Sequence, residues 1–133
     1  MINKKLIYTM VTTATLFVTV AKAENAEITL MKNLDGFLGG YCLDIKGGNA
    51  DIDTSNGLQV HTCYSYKGAL GKDQIFETTR FENNALFMPE FNVCAQLTGL
   101  EAGSTVSLAP CDGSELQNLA FTGAGTISPV KAN

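Results

Sequence analysis

The side chains of Asp44, His61, Asp73 and Gln74 are of types that together can bind a small polar ligand. A carboxylate only accepts hydrogen bonds, and it can take two neighbouring hydroxyl groups at once. A flat ring such as that of His61 offers an apolar face on which C–H groups can stack. An amide beside a carboxylate fixes the rotamer of the acid. The set therefore suits a ligand with hydroxyl groups along one edge and a C–H face.

Metal binding has less support in the sequence. Asp51, Asp53 and Ser55 have the spacing of the first ligands of a calcium loop. However, Asn56 stands where that loop needs Gly, and Thr62 stands where it needs its closing acid. Zinc is disfavoured because the chain has one His and no Cys-x-x-Cys motif. We expect a solvated turn here, with no metal and no cofactor.

Catalysis is also disfavoured. His61 lies in no nucleophile motif, and paired cysteines would leave no reactive thiol. The 13 acidic residues offer many carboxylate pairs, so counting alone leaves glycoside hydrolysis open. The small size and the absence of Trp favour a binding module over an enzyme.

The start of the chain predicts a secretory signal peptide over residues 1–23. Lys4 and Lys5 form a positive region, residues 6–20 are apolar and uncharged, and residues 21–23 form a small-x-small cleavage site before Glu24. The alternative is a membrane anchor, but the apolar run of about 15 residues is shorter than the roughly 20 that a spanning helix needs. We expect a secreted or periplasmic protein.

Residues 24–133 are enough for one domain with a modest core. The whole chain has a formal net charge of −4, and removal of Lys4, Lys5 and Lys22 makes the remainder more acidic. Such a surface repels nucleic-acid phosphates and anionic lipids. We therefore expect neither nucleic-acid binding nor membrane insertion.

An internal repeat with a period of roughly 50 residues predicts a repeat architecture. Residues 42–45, 56–63 and 73–76 match residues 94–97, 103–111 and 116–119 in the same order. The first repeat covers about residues 27–79, the second about 80–122, and a stub of a third about 123–133.

The four cysteines all lie after the predicted signal peptide, as expected for disulfides in an exported chain. Three pairings are possible. The repeat favours Cys42–Cys63 and Cys94–Cys111, because each pair then lies within one repeat. Each bridge would stabilise the fold by about 3 kcal/mol if its geometry is unstrained.

Short segments rich in β-branched or aromatic residues, bounded by Gly, Asn and Asp, predict strands. They cover residues 28–31, 41–45, 58–63, 74–77, 85–88, 92–97 and 105–108. No long helical period follows the signal peptide. The pattern indicates an all-β barrel or sandwich.

The ordered set of Cys42 to Ile45, Asn56-Gly57-x-x-Val60-x-x-Cys63 and Gln74-x-Phe76 resembles the ricin B-type lectin family. The resemblance covers about residues 27–130. It implies a β-trefoil of three repeats, here incomplete, with a disulfide in each complete repeat and a glycan or polysaccharide as partner.

The resemblance also implies roles in the first repeat. Asp44 would be the sugar-binding carboxylate and His61 the stacking ring. Asp73 would hydrogen-bond sugar hydroxyls where the family usually has Asn, and Gln74 would orient the carboxylate. Tyr64 or Tyr66 could supply the ring instead.

The second repeat departs from this pattern. Gln96 replaces the carboxylate and Ala109 replaces the ring. We therefore expect one sugar site, in the first repeat, and a packing role for the second repeat.

The sequence predicts an exported module that binds neutral sugars such as galactose-type glycans. The alternatives are a structural or protein-interaction domain on a decayed lectin scaffold, and a fragment of a larger secreted enzyme or toxin. The incomplete third repeat favours attachment to a longer chain over a homo-oligomer that covers its open edges.

Overall fold

The described part of the protein consists of short antiparallel strands and 3₁₀ helices. The structure is a computed structural model that describes residues 22–32, 34–36, 38–47, 51–64 and 68–131. Its strands are β1 (Asn25–Ala26), β2 (Tyr41–Ile45), β3 (Leu58–Thr62), β4 (Phe76–Glu77), β5 (Phe87–Met88), β6 (Val93–Leu97), β7 (Val106–Ala109), β8 (Leu119–Phe121) and β9 (Ile127–Pro129). Its 3₁₀ helices are Thr54–Asn56, Ala69–Gln74, Thr78–Asn83 and Glu115–Gln117. The predicted all-β class is confirmed.

The predicted signal peptide lies almost wholly outside the described residues. In the part of the chain that is described, no helix is long and apolar enough to cross a membrane.

Two β-hairpins with the same register form the centre of the fold. In β2–β3, Cys42 lies opposite His61. In β6–β7, Cys94 lies opposite Ala109. His61 and Ala109 therefore occupy equivalent places in the two repeats.

The predicted disulfides are confirmed, and each one closes one of these hairpins. Cys42 and Cys63 are bonded with their Cα atoms 4.9 Å apart. Cys94 and Cys111 are bonded with their Cα atoms 5.1 Å apart. Each bridge ties the end of its hairpin together.

The segments that precede the two hairpins also correspond. Leu43 N–H donates to the Ile28 carbonyl at 2.9 Å, and Ala95 N–H donates to the Leu86 carbonyl at 2.9 Å. The extended segment predicted at residues 28–31 is reduced to a single bridge between Thr29 and Cys42.

The strands that follow the hairpins have different partners. Strand β4 pairs with β1, placing Ala26 opposite Phe76, and β8 pairs with β9. The stub assigned to a third repeat thus contributes a strand to the second. Gln74, predicted as a strand residue, instead ends a 3₁₀ helix.

The core is formed where the two repeats meet. Its buried side chains are Ile45, Phe76, Leu86, Met88, Val93, Ala95 and Leu119. They come from both repeats, so the two hairpins share one apolar interior and hold each other in place. This interior supports the polar residues described next.

Candidate functional site

The structure brings the predicted site residues together at one side of the first hairpin. Asp44 lies on β2, His61 lies on β3, and the neighbouring Asp73 and Gln74 end the 3₁₀ helix Ala69–Gln74. That helix packs against β2. We call Asp44, His61, Asp73 and Gln74 the candidate site.

Gln74 connects the elements of the candidate site. Its side chain is fully buried. Its Nε2 donates to Asp44 Oδ2 at 3.2 Å and to the Thr62 carbonyl at 3.0 Å. Its Oε1 accepts from the Tyr64 N–H at 2.7 Å. The amide thus fixes the Asp44 carboxylate relative to the end of β3.

Asp44 is a buried acid, and one of its two carboxylate oxygens accepts a hydrogen bond from a described residue. The residue is 2% exposed. Its Oδ2 accepts from Gln74, whereas its Oδ1 is covered and has no hydrogen-bond partner among the described residues. Burial raises the pKa of Asp44, and hydrogen bonds from Gln74 and Gln59 together with the nearby His61 ring oppose that rise.

Asp73 is a second buried acid beside the first. It is 6% exposed, and its Oδ1 also lacks a partner within the described residues. Burial raises the pKa of Asp73, its own backbone N–H opposes the rise, and the negative charge of Asp44 adds to it. The negative charge of Asp44 thus opposes ionisation of Asp73, whereas the nearby His61 ring favours it.

The His61 ring lies at the exposed edge of the candidate site. Its side chain is 45% exposed, and its Nδ1 lies 3.9 Å from Asp44 Oδ2. The ring centroid of Tyr64 lies 5.6 Å away, with the two planes tilted by 36°. The two rings form one aromatic surface beside the acids. Tyr66, the other ring suggested by the sequence, lies outside the described residues.

The second repeat contains the same amide network with neutral partners. Gln117 Nε2 donates to Gln96 Oε1 at 3.0 Å and to the Pro110 carbonyl at 2.9 Å. Its Oε1 accepts from the Asp112 N–H at 2.9 Å. Gln117 therefore does in the second repeat what Gln74 does in the first.

The equivalence of the two glutamines aligns the remaining positions. Gln96 takes the place of Asp44, and Leu116, which precedes Gln117, takes the place of Asp73. The hairpin register places Ala109 where the first repeat has His61. The second repeat therefore lacks both acids and the ring.

Sequence reasoning missed three groups that take part in the first network: the Thr62 carbonyl, the Tyr64 N–H and the Gln59 side chain. The first two are backbone groups, so their residue types carry no signal. Gln59 lies directly opposite Asp44 in the hairpin, and the strand register, once known, would have identified it.

The calcium-like segment has a structural role. The Asp53 side chain accepts from the Ser55 N–H at 2.9 Å and caps the 3₁₀ helix Thr54–Asn56. Within the described residues, no three side chains of His, Cys, Asp or Glu are grouped as a metal ion would require.

No family model matches the chain, and neither does any curated protein or solved structure. The function is therefore argued from the geometry of the candidate site.

Proposed function

We propose that the chain is an exported, non-catalytic carbohydrate-binding module, with a fold related to the β-trefoil of ricin B-type lectins. It binds hexoses without acidic groups, such as galactose-type glycans, through Asp44, His61, Asp73 and Gln74. The two disulfides fit an oxidising compartment, which is consistent with export.

The observation that carries the proposal is the contrast between the two repeats. In each repeat, a buried glutamine donates a hydrogen bond to a side chain of the first hairpin strand. The same glutamine accepts a hydrogen bond from a backbone N–H that follows the second hairpin strand. In the second repeat that glutamine is satisfied by Gln96, a neutral side chain. The fold therefore does not require a charge at this position, yet the first repeat has two buried acids.

Burying these acids has a cost that the fold does not recover. A carboxylate oxygen that is removed from water without a partner destabilises the folded state. Considering the described residues, Asp44 and Asp73 each have one such oxygen. Groups that are unfavourable for stability and absent from the equivalent repeat are expected where a ligand supplies the missing hydrogen bonds.

The aromatic surface supplies the second half of a sugar site. The half-exposed His61 ring, next to Tyr64, offers a flat apolar face to the C–H groups of a pyranose. Both unpartnered acid oxygens are covered, so a ligand has to move a side chain to reach them. We propose that this side chain is His61, whose half-exposed ring lies 3.9 Å from Asp44 Oδ2.

The test is glycan binding by Asp44→Asn. Asparagine keeps the size of the residue and an oxygen that can accept from Gln74, but it removes the charge. We expect wild-type protein to bind hexose glycans on an array and the variant to lose at least about tenfold in affinity, the loss of one charge-assisted hydrogen bond. Circular dichroism and thermal unfolding establish that the variant is folded.

Asp112→Asn is the matched control. It makes the same chemical change on an exposed acid of the second repeat, whose carboxylate accepts from the Ser114 N–H at 2.8 Å. This control should bind like the wild type. Unchanged binding by folded Asp44→Asn would contradict the assignment of the site.

A protein-interaction domain is the second candidate, favoured by an apolar cleft between the two hairpins. The cleft has a volume of about 430 Å³ and is lined mainly by aliphatic side chains, including Leu43, Val60 and Val106. Val60 and Val106 are themselves exposed. A wild-type protein that binds no glycan on the array would favour this candidate.

A further inference from the structure

We infer that the sugar bound by the candidate site carries a free ammonium group, as 2-amino-2-deoxyhexoses do. This inference rests on the proposed function and specifies the class of sugar. It follows from the number of carboxylates in the site, their burial and the absence of a cation to balance them.

The two acids form a concentrated negative site. Asp44 and Asp73 are both more than nine-tenths buried, and each has a covered oxygen without a hydrogen-bond partner in the described structure. Their charges act on each other through a poorly solvated environment. A ligand that satisfies both oxygens has to bring donors and to reduce this repulsion.

Among the described residues, no Lys or Arg side chain forms an ion pair with Asp44 or Asp73. Lys72, next to Asp73 in sequence, extends instead to Glu90, with an Nζ–Oε1 distance of 2.8 Å. Arg80 pairs with Glu77 at 3.5 Å. His61, at 3.9 Å from Asp44, is charged only when it is protonated. The positive charge that balances the two acids is therefore assigned to the ligand.

An ammonium group fits this site better than the other substituents of common hexoses. It has three donors and no acceptor, so it can bridge two carboxylates. Neighbouring hydroxyl groups also supply donors, but they carry no charge and leave the repulsion between the acids in place. An acetamido group has no charge and adds a carbonyl that would face the acids, and a uronic or sialic acid would be repelled.

The test compares sugars that differ only at one substituent. Isothermal titration at pH 7 measures galactosamine, galactose and N-acetylgalactosamine, and then glucosamine and glucose. We expect each free amino sugar to bind about tenfold or more tightly than its neutral parent, as a charge-assisted hydrogen bond would give. The affinity for the amino sugar should fall as the pH is lowered towards 4, because protons then compete for the same carboxylates.

Asp73→Asn identifies the source of this preference. It should bring the ratio of the two affinities, amino sugar to neutral parent, close to one, whereas Asp112→Asn should keep the wild-type ratio. The ratio separates selection in the site from general attraction of amines to an acidic protein.

The outcomes separate this inference from the proposed function. Hexose binding without a preference for the free amine would overturn the inference and leave the carbohydrate-binding function standing. An absence of binding by every hexose would overturn both. A preference that survives in folded Asp73→Asn would overturn the assignment of the amine to the two acids.

Discussion

The carbonyl oxygen of Val106 lies 3.0 Å from the point at which a Cβ atom on Gly57 would stand. Gly57 belongs to the turn before β3 in the first repeat, and Val106 begins β7 in the second. The backbone at Gly57 has φ 72° and ψ −163°, a region that only glycine adopts readily. Close contact between the repeats therefore depends on a residue without a side chain.

Gly57→Ala should destabilise the protein more than Gly103→Ala. Both residues have positive φ, at 72° and 93°, but no atom of the described residues beyond its chain neighbours lies within 4 Å of a Cβ at Gly103. The control should lose about 1 kcal/mol from backbone strain alone, and Gly57→Ala about 2 kcal/mol or more because the strand at Val106 also has to shift. Urea unfolding measures both. Equal losses would show that the contact between repeats is easily relaxed.

Gln74→Glu should destabilise the protein more than Gln117→Glu. The first change replaces the donor to Asp44 and Thr62 with an oxygen and places two buried carboxylates together, at a cost of about 3 kcal/mol or more. In Gln117→Glu, the new carboxylate faces Gln96, whose side-chain amide can rotate and donate from its nitrogen. The cost should therefore be nearer to about 1–2 kcal/mol. Thermal unfolding at pH 7 and pH 4 measures the difference.

The difference between these glutamate variants should shrink at pH 4, because protonation restores a donor at position 74 and removes the repulsion. A difference that stays constant with pH would mean that charge is not its cause.

The protein should become more stable as the pH falls from 7 towards 4, through Asp44 and Asp73. Burial raises the pKa of both acids above their value of 3.8 in an unfolded chain. The folded state therefore binds more protons than the unfolded state in the window above 3.8, and stability decreases as the pH rises through that window. Asp53 and Asp112 have lowered pKa values. Their protonation therefore destabilises the folded state mainly at pH values below this window.

Asp44→Asn and Asp73→Asn test this pH dependence. Each removes one of the two acids, so each should be more stable relative to the wild type at pH 7 than at pH 4. Chemical unfolding at several pH values gives the comparison. Asp112→Asn is the control, since its relative stability should change little over this range. Parallel curves for the site variants and the wild type would contradict the prediction.

Several features of the fold could be predicted because they depend on local pattern. The bounds of β2 are those expected from its sequence, and β3 ends one residue before the predicted end at Cys63. The disulfides followed from the repeat, because two cysteines in each repeat hold equivalent hairpin ends together. The family resemblance implied that Gln74 orients Asp44, and Gln74 Nε2 does donate a hydrogen bond to Asp44 Oδ2.

Other features could not be predicted because they depend on long-range packing. Strand β1 has two residues, too few for a period, and its partner β4 lies about fifty residues further along the chain. The burial of Asp44 and Asp73 depends on the 3₁₀ helix that packs on β2, whereas their residue type favours exposure. The sequence therefore predicted the members of the candidate site but not that its acids are covered.

The disulfide Cys94–Cys111 should be reduced before Cys42–Cys63. Cys111 is exposed, whereas Cys42 is fully buried and Cys63 is partly covered. A reducing thiolate needs access to a sulfur atom. Limited treatment with a mild reductant, followed by alkylation and peptide mass spectrometry, should label Cys94 and Cys111 first.

Glycan binding should persist after this selective reduction, because the candidate site lies on the hairpin that Cys42–Cys63 closes. Equal labelling of all four cysteines would contradict the order of reduction. Loss of binding at the stage where only Cys94 and Cys111 are labelled would mean that the first repeat depends on the second disulfide.

The chain has a single histidine, and that residue lies at the edge of the candidate site. Its imidazole C–H signals in a proton NMR spectrum therefore need no assignment experiment, and His61 serves as a built-in spectroscopic reporter. A ring that moves when a ligand enters will shift these signals, and a ligand bound elsewhere, such as in the apolar cleft, will leave them in place. One unlabelled sample can thus be screened against a sugar collection, with the binding location recorded by the same signal as the affinity.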